Sequence, residues 1–304
     1  MSLKVNLNKI DVFNVKSGKL DPKVSKDIES ILEFETVIND YLAHLSKNKA
    51  SVASLLTNDL KEIGKISLGL PREFSIFSIF EHLQASGAHQ FAQLVTELID
   101  ALEGNRLYSS VILLRAMFEC TCYMSYPLDK STPKTADAFR LMKETKGKGG
   151  SEKYDQVLLD VYKIATNAYY SVNTEIGTVN SAAKFYKFSE SSGGKSSIHI
   201  NDTIRSLEKL SKLPLLEHYD VLSEFSHPNY ASRLLVIEET KPINEFLEGT
   251  QYGFNPNETN KIKFQTIFSE IILHVFQLFF ASNQRYKKYL DLWYSLFEYA
   301  EMNR

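Results

Sequence analysis

The chain has almost no cysteine, almost no net charge and no long uninterrupted apolar run. Each shortage removes a class of protein. Only Cys120 and Cys122 occur. Two positions apart on a helix, their side chains point about 200° away from each other. They neither bridge nor share a metal readily, and they read as small packing residues in a reducing compartment. A disulfide-stapled secreted scaffold and a cysteine zinc ribbon are excluded. Lysine and arginine total 35 against 37 aspartate and glutamate, so the whole molecule carries no field that draws in nucleic acid or an acidic membrane. The most apolar stretch, 271–281, is interrupted by His274 and Gln277. It falls short of the ~18 residues that suggest a membrane span. The N-terminal residues contain no continuous apolar segment of the secretory-signal kind. No membrane association and a cytoplasmic address are expected.

What is present is helical periodicity. Hydrophobic residues make up 43% of the 304 and charged residues 24%, enough apolar material for a sizeable core and too much for wholesale disorder. From Asp27, Ile28, Ile31, Leu32, Phe34 and Val37 recur at three and four, with Leu42 and Leu45 beyond. Leu55, Leu56, Leu60 and Ile63 predict another helix, ended by Gly69-Leu70-Pro71. Residues 75–103 read as one or two helices, broken at Gly104-Asn105. The helix over 107–124 is apolar on most sides, as a central bundle helix is, and is expected to end before Pro127. A short helix follows at 133–144, then a glycine-rich link at 146–150 and a helix over 152–176. Residues 189–197 are loop-like. Helices over 202–212 and 214–226 split at Pro214. Asn255 as N-cap, Pro256 and Glu258 then open a long C-terminal helix reaching about Ala300. Before all of these, Val5, Leu7, Ile10, Val12 and Val15 predict a short strand or an arm packed on the body. The expected fold is an all-α multi-helix bundle with a long C-terminal helix. An N-terminal helical extension (1–75) precedes a main bundle domain (76–304).

Several short motifs carry little chemistry. Gly193-Gly194-Lys195-Ser196 lacks the glycine that a phosphate loop needs at position 189, which is Ser189, and no apolar strand precedes it. His82 and His89 are seven apart on one helix, without the paired Cys or His spacing of a zinc site. His274, inside an apolar stripe, reads as a hydrogen-bonded core or interface histidine. No metal and no cofactor are expected. Residues 130–153 carry seven basic side chains against three acidic ones, either a patch for phosphate groups or a solvated surface.

The richest constellation lies elsewhere. Arg115 and Glu119 are four apart on the apolar helix and share a face. Unpaired charge there costs several kcal/mol, so the two pair with each other or face a polar pocket. Tyr219, Ser223, Ser226 and His227 lie at offsets 0, 4, 7 and 8, one face of a second helix, just before Pro228. The two sets form either a polar pocket within the bundle or an interhelical hydrogen-bond network that fixes register.

Two segments carry a resemblance: Leu114-Arg115-Ala116-Met117-Phe118-Glu119, and Tyr219 through Leu222, Ser223, Ser226, His227 and Pro228. They resemble a family of bacterial helical proteins of the DUF5677 type, over roughly residues 85–235. More loosely, the chain resembles the HEPN superfamily of helical bundles, many of them ribonucleases or toxin and defence proteins. Those enzymes carry an arginine shortly before a histidine on one helix, whereas no arginine lies between positions 206 and 232 here. Arg115 would have to stand in from another helix. Two functions stand open: a helical binding protein, read from the residues, and a metal-independent ribonuclease, which the HEPN resemblance implies. In the ribonuclease, His227 is general acid/base, Arg115 stabilises phosphate charge, Glu119 orients the imidazole and Ser223 completes the site. A metal hydrolase built on Glu119, His227 and Glu224 is a weaker third possibility. The binding protein would use the polar pocket, or Tyr169, Tyr170, Phe185 and Tyr186. Expected partners are RNA or a phosphate-containing ligand, and a second copy of the chain through a long helix.

Overall fold

The computed structural model describes residues 4–14, 19–66, 72–145, 152–169, 199–233, 235–236 and 257–302. Among them are eight α-helices and no strand: α1 (Pro22–Ile66), α2 (Arg72–Glu103), α3 (Leu107–Glu144), α4 (Glu152–Tyr169), α5 (Ile200–Ser211), α6 (Leu215–Ser226), α7 (Tyr230–Arg233) and α8 (Glu258–Met302). The protein is all-α, with a long C-terminal helix. The Gly69–Pro71 breaker, the 146–150 link, the 189–197 loop, Val15, and Tyr170, Phe185 and Tyr186 fall outside the described residues.

Local chemistry explains most boundaries. Pro22 stands first in α1, where its missing N–H costs nothing, and Asp21 Oδ1 accepts from Lys23 N at 2.8 Å. The two helices expected over 27–63 are one element, α1. At the end of α2, Asn105 takes a left-handed φ of 52°. Arg106 N donates to Ala101 O at 2.8 Å and Asn105 N to Leu102 O at 3.0 Å, the paired bonds of a Schellman C-cap. Before Pro214, Lys212 adopts φ 59° as α5 ends. The α8 cap is Asn257, whose Oδ1 accepts from Asn260 N at 3.0 Å. Asn255, the expected cap, lies outside the described residues.

The largest departure is in α3, which runs through both Pro127 and Pro133. A proline inside a helix costs about 3 kcal/mol. Here Pro127 is buried, with Met124 and Leu128 buried beside it. Ending the helix there would expose that apolar surface, so tertiary packing overrides the local signal.

The described chain groups into two compact units that interleave along the sequence. One comprises residues 1–50, 89–121 and 213–280. The other comprises 51–88, 122–212 and 281–304. In the first, Phe91 stacks on Phe279 at 3.5 Å between centroids, and Phe34 stacks on Phe276 and Phe280 at 5.9 and 5.7 Å. The N-terminal residues form a packed arm, not a strand. Leu7, Ile10 and Val12 are buried, and Asn39 exchanges hydrogen bonds with the Val5 backbone at 2.7 and 2.9 Å. In the second unit, Trp293, Tyr286 and Phe80 are fully buried, and Tyr286 donates to Met124 O at 2.7 Å.

Taken whole, α8 is long and apolar enough to cross a membrane, unlike its 271–281 segment alone. Of its most apolar window, 61% is buried inside the protein, which is compatible with the core helix of a soluble protein.

Candidate functional site

The first unit brings the two predicted motif segments together. On α3, Leu107, Val111, Leu114, Met117 and Phe118 face inward and are buried. Tyr108, Ile112, Arg115 and Glu119 recur at four and three on the other side, half-buried or exposed. The charged pair therefore sits on the rim of the helix, its side chains keeping 27% and 32% of their exposure. It is a half-exposed cluster rather than a sealed interior one.

Three partners hold the Arg115 guanidinium. Nε donates to Glu119 Oε1 at 3.0 Å, Nη1 to Ser226 Oγ at 2.8 Å and Nη2 to the Tyr219 hydroxyl at 3.0 Å. The Tyr219 hydroxyl in turn donates to Glu119 Oε1 at 3.1 Å, closing a ring of three side chains. Burial pushes the Tyr219 phenol above its usual pKa, a shift that Arg115 opposes and Glu119 reinforces. It stays a neutral O–H able to donate and accept at once. Arg115 Cζ lies 5.2 Å from the Tyr219 ring centroid, and Phe118 stacks on that ring at 6.0 Å. Burial works against the Arg115 charge. The hydrogen bonds with Tyr219 and Glu119 outweigh it, so the guanidinium pKa is raised.

Two members arrive without having been expected in these roles. Ser226, not Ser223, meets the arginine. Its hydroxyl accepts from Arg115 and donates to Ser223 O at 3.1 Å, so Ser223 contributes a carbonyl. Tyr108 donates to Ser226 O at 3.0 Å, a second tie between α3 and α6. Its spacing of seven from Arg115 was the available clue.

His227 departs from the predicted face. It is the C-cap of α6, with extended backbone at φ −83° and ψ 147°, and it is exposed. Pro228 forces that extended conformation, which takes the imidazole off the helical face. Among the described residues its side chain makes no hydrogen bond. Glu224 accepts from Asn229 Nδ2 at 2.8 Å, and Glu119, His227 and Glu224 are not among the ligand-type side chains that converge within the described residues.

No family model, curated protein or solved structure matches this chain.

Elsewhere in the same unit, His218 of α6 meets Glu270 and His274 of α8. One ligand-type atom from each lies within 4.8 Å of the others. His218 Nε2 and His274 Nδ1 are 2.8 Å apart and share a hydrogen bond, and His274 is half-buried rather than a core residue. Lys23 Nζ donates to Glu270 Oε2 at 2.8 Å. Sequence spacing shows only the Glu270/His274 half of this set, four apart on one helix. His218 comes from 56 residues away, which no local pattern reveals. Cys120 is not a nucleophile candidate, because burial pushes its thiol up to about 12. In the second unit, the 130–153 patch is partly neutralised. Lys134 pairs with Asp160 at 2.8 Å and Arg140 with Asp137 at 3.0 Å.

Proposed function

We propose that this is a helical binding protein whose Arg115 cluster takes a phosphate-bearing ligand, RNA in the first instance. One observation carries the reading. The guanidinium is fixed by three partners, yet it remains partly exposed and uses only three of its five N–H donors among the described residues. A preorganised fork with unused donors fits a phosphate oxygen pair better than a mobile lysine does. Two residues just beyond α6 add to it. His227 is exposed directly after Ser226, and Tyr230 is 70% exposed three residues on, an aromatic face for a base to stack upon. Two buried, unbridged cysteines support a reducing, cytoplasmic address.

Equilibrium binding of a short single-stranded RNA tests the proposal. A charge-assisted hydrogen bond contributes about 1.5–3 kcal/mol, so Arg115→Gln should weaken binding by roughly 10–100-fold. Arg115→Lys, which keeps the charge and loses the fork, should recover only part of it. Equal affinity for wild type and Arg115→Gln would end the reading.

A second reading, a metal-independent ribonuclease of the HEPN-like kind, draws on the position of His227 next to Ser226, which touches Arg115. In that case His227→Ala abolishes RNA cleavage while the helical spectrum is unchanged. Undiminished cleavage in that variant removes His227 as general acid/base and with it this reading.

A further inference from the structure

His218, Glu270 and His274 form a donor set independent of the Arg115 cluster. His218 is only 6% exposed. Its Nε2 points at His274 Nδ1, and Glu270 reaches the same place from one helical turn before His274. Two imidazole nitrogens and one carboxylate oxygen, converging from two helices, are the ligand types of three-residue sites for divalent transition metals. We infer that His218, Glu270 and His274 bind one divalent transition-metal ion of the zinc class, with coordination positions left for water or a further ligand.

The observed spacing fits that use. Metal–nitrogen bonds near 2.0–2.1 Å in a tetrahedral shell set ligand nitrogens about 3.3 Å apart. The two rings, now 2.8 Å apart across a shared proton, need to open by about half an ångström, the proton leaving as the ion enters. Lys23 is the competitor. Its ammonium sits on Glu270 Oε2, but its side chain is 67% exposed and free to swing into water. One turn along α1, Asp27 lies close enough to interact electrostatically with both Glu270 and His274. Its carboxylate accepts no hydrogen bond among the described residues and is the natural one to approach an added cation. The ion would join α6 to α8 through His218 on the one helix and Glu270 and His274 on the other.

Calorimetric titration of the chelator-treated full chain with Zn²⁺, repeated with Co²⁺ for its visible absorption, tests the inference. One ion per chain is expected. His274→Gln should weaken binding by more than the roughly 10–100-fold that loss of a mere supporting partner costs. His227→Ala, on an exposed histidine outside the set, should leave it unchanged. Lys23→Met keeps all three ligands and removes the competing ammonium, so it should bind Zn²⁺ several-fold more tightly. That result is one which a purely structural histidine pair would not produce, and it does not depend on His274→Gln folding. Failure to bind, or affinity equal in Lys23→Met and wild type, would overturn the site. So would loss on His227→Ala. None of these outcomes bears on RNA binding at Arg115.

Discussion

Glu119 Oε1 receives two hydrogen bonds, from Arg115 Nε and the Tyr219 hydroxyl, and so anchors the other two side chains. Because the Arg115 and Glu119 side chains keep 27% and 32% of their exposure, water takes up part of any loss. Glu119→Ala should therefore destabilise by about 1–2 kcal/mol in urea unfolding, less than the 3–5 kcal/mol typical of breaking a fully buried pair. A loss above about 4 kcal/mol would mean that the cluster is sealed from solvent. Tyr286 shows the opposite extreme. It is fully buried, and burial drives its pKa far above the usual 10.0. A raised folded-state pKa means that the native state holds the proton longer than the unfolded chain does. This contribution is intact below pH 10 and falls away as pH rises above it. Tyr286→Phe should flatten the alkaline fall in stability by up to one proton, read from denaturation midpoints between about pH 9 and 11. An unchanged slope would contradict the burial.

At the scale of elements, α6 is the hub of the first unit's chemistry. Neighbouring residues His218 and Tyr219 project about 100° apart, one toward α8 and the other toward α3. The Tyr219–Ser226 spacing was legible, because seven residues close two helical turns. The exit of His227 was only half legible. Pro228 announces the extended backbone but not where the imidazole then goes. The continuity of α3 was not legible, since a proline's local cost is visible in sequence and the burial that overrides it is not. The α2–α3 junction is legible in Gly104-Asn105, and its geometry gives a further test. Asn105→Val, forcing a β-branched residue into φ 52°, should cost about 1–2 kcal/mol in thermal or urea unfolding, while Asn105→Gly should cost little. Equal stability of the two variants would show that the left-handed cap is not formed.

For the whole molecule, composition and the three-and-four recurrence of apolar residues were enough to establish an all-α chain with a long C-terminal helix, because that period is local. The interleaved units were beyond reach. They depend on which segments far apart in sequence pack together, as Phe34 does with Phe276 and Phe91 with Phe279. The same limit hid His218 from Glu270 and His274. It left the Arg115 cluster visible only as two motifs whose meeting had to be guessed.

The proposed role of the Arg115 guanidinium is to receive phosphate, and its own Nε–H can report on this. In a ¹⁵N-edited spectrum assigned with Arg115→Lys, the Arg115 Nε–H signal should be sharp and slow to exchange, as a proton held by Glu119 is. It should then shift progressively on titration with a short single-stranded RNA. If that signal stays fixed while RNA binds through other residues, the cluster is a structural tie between α3 and α6, and the proposed function is wrong.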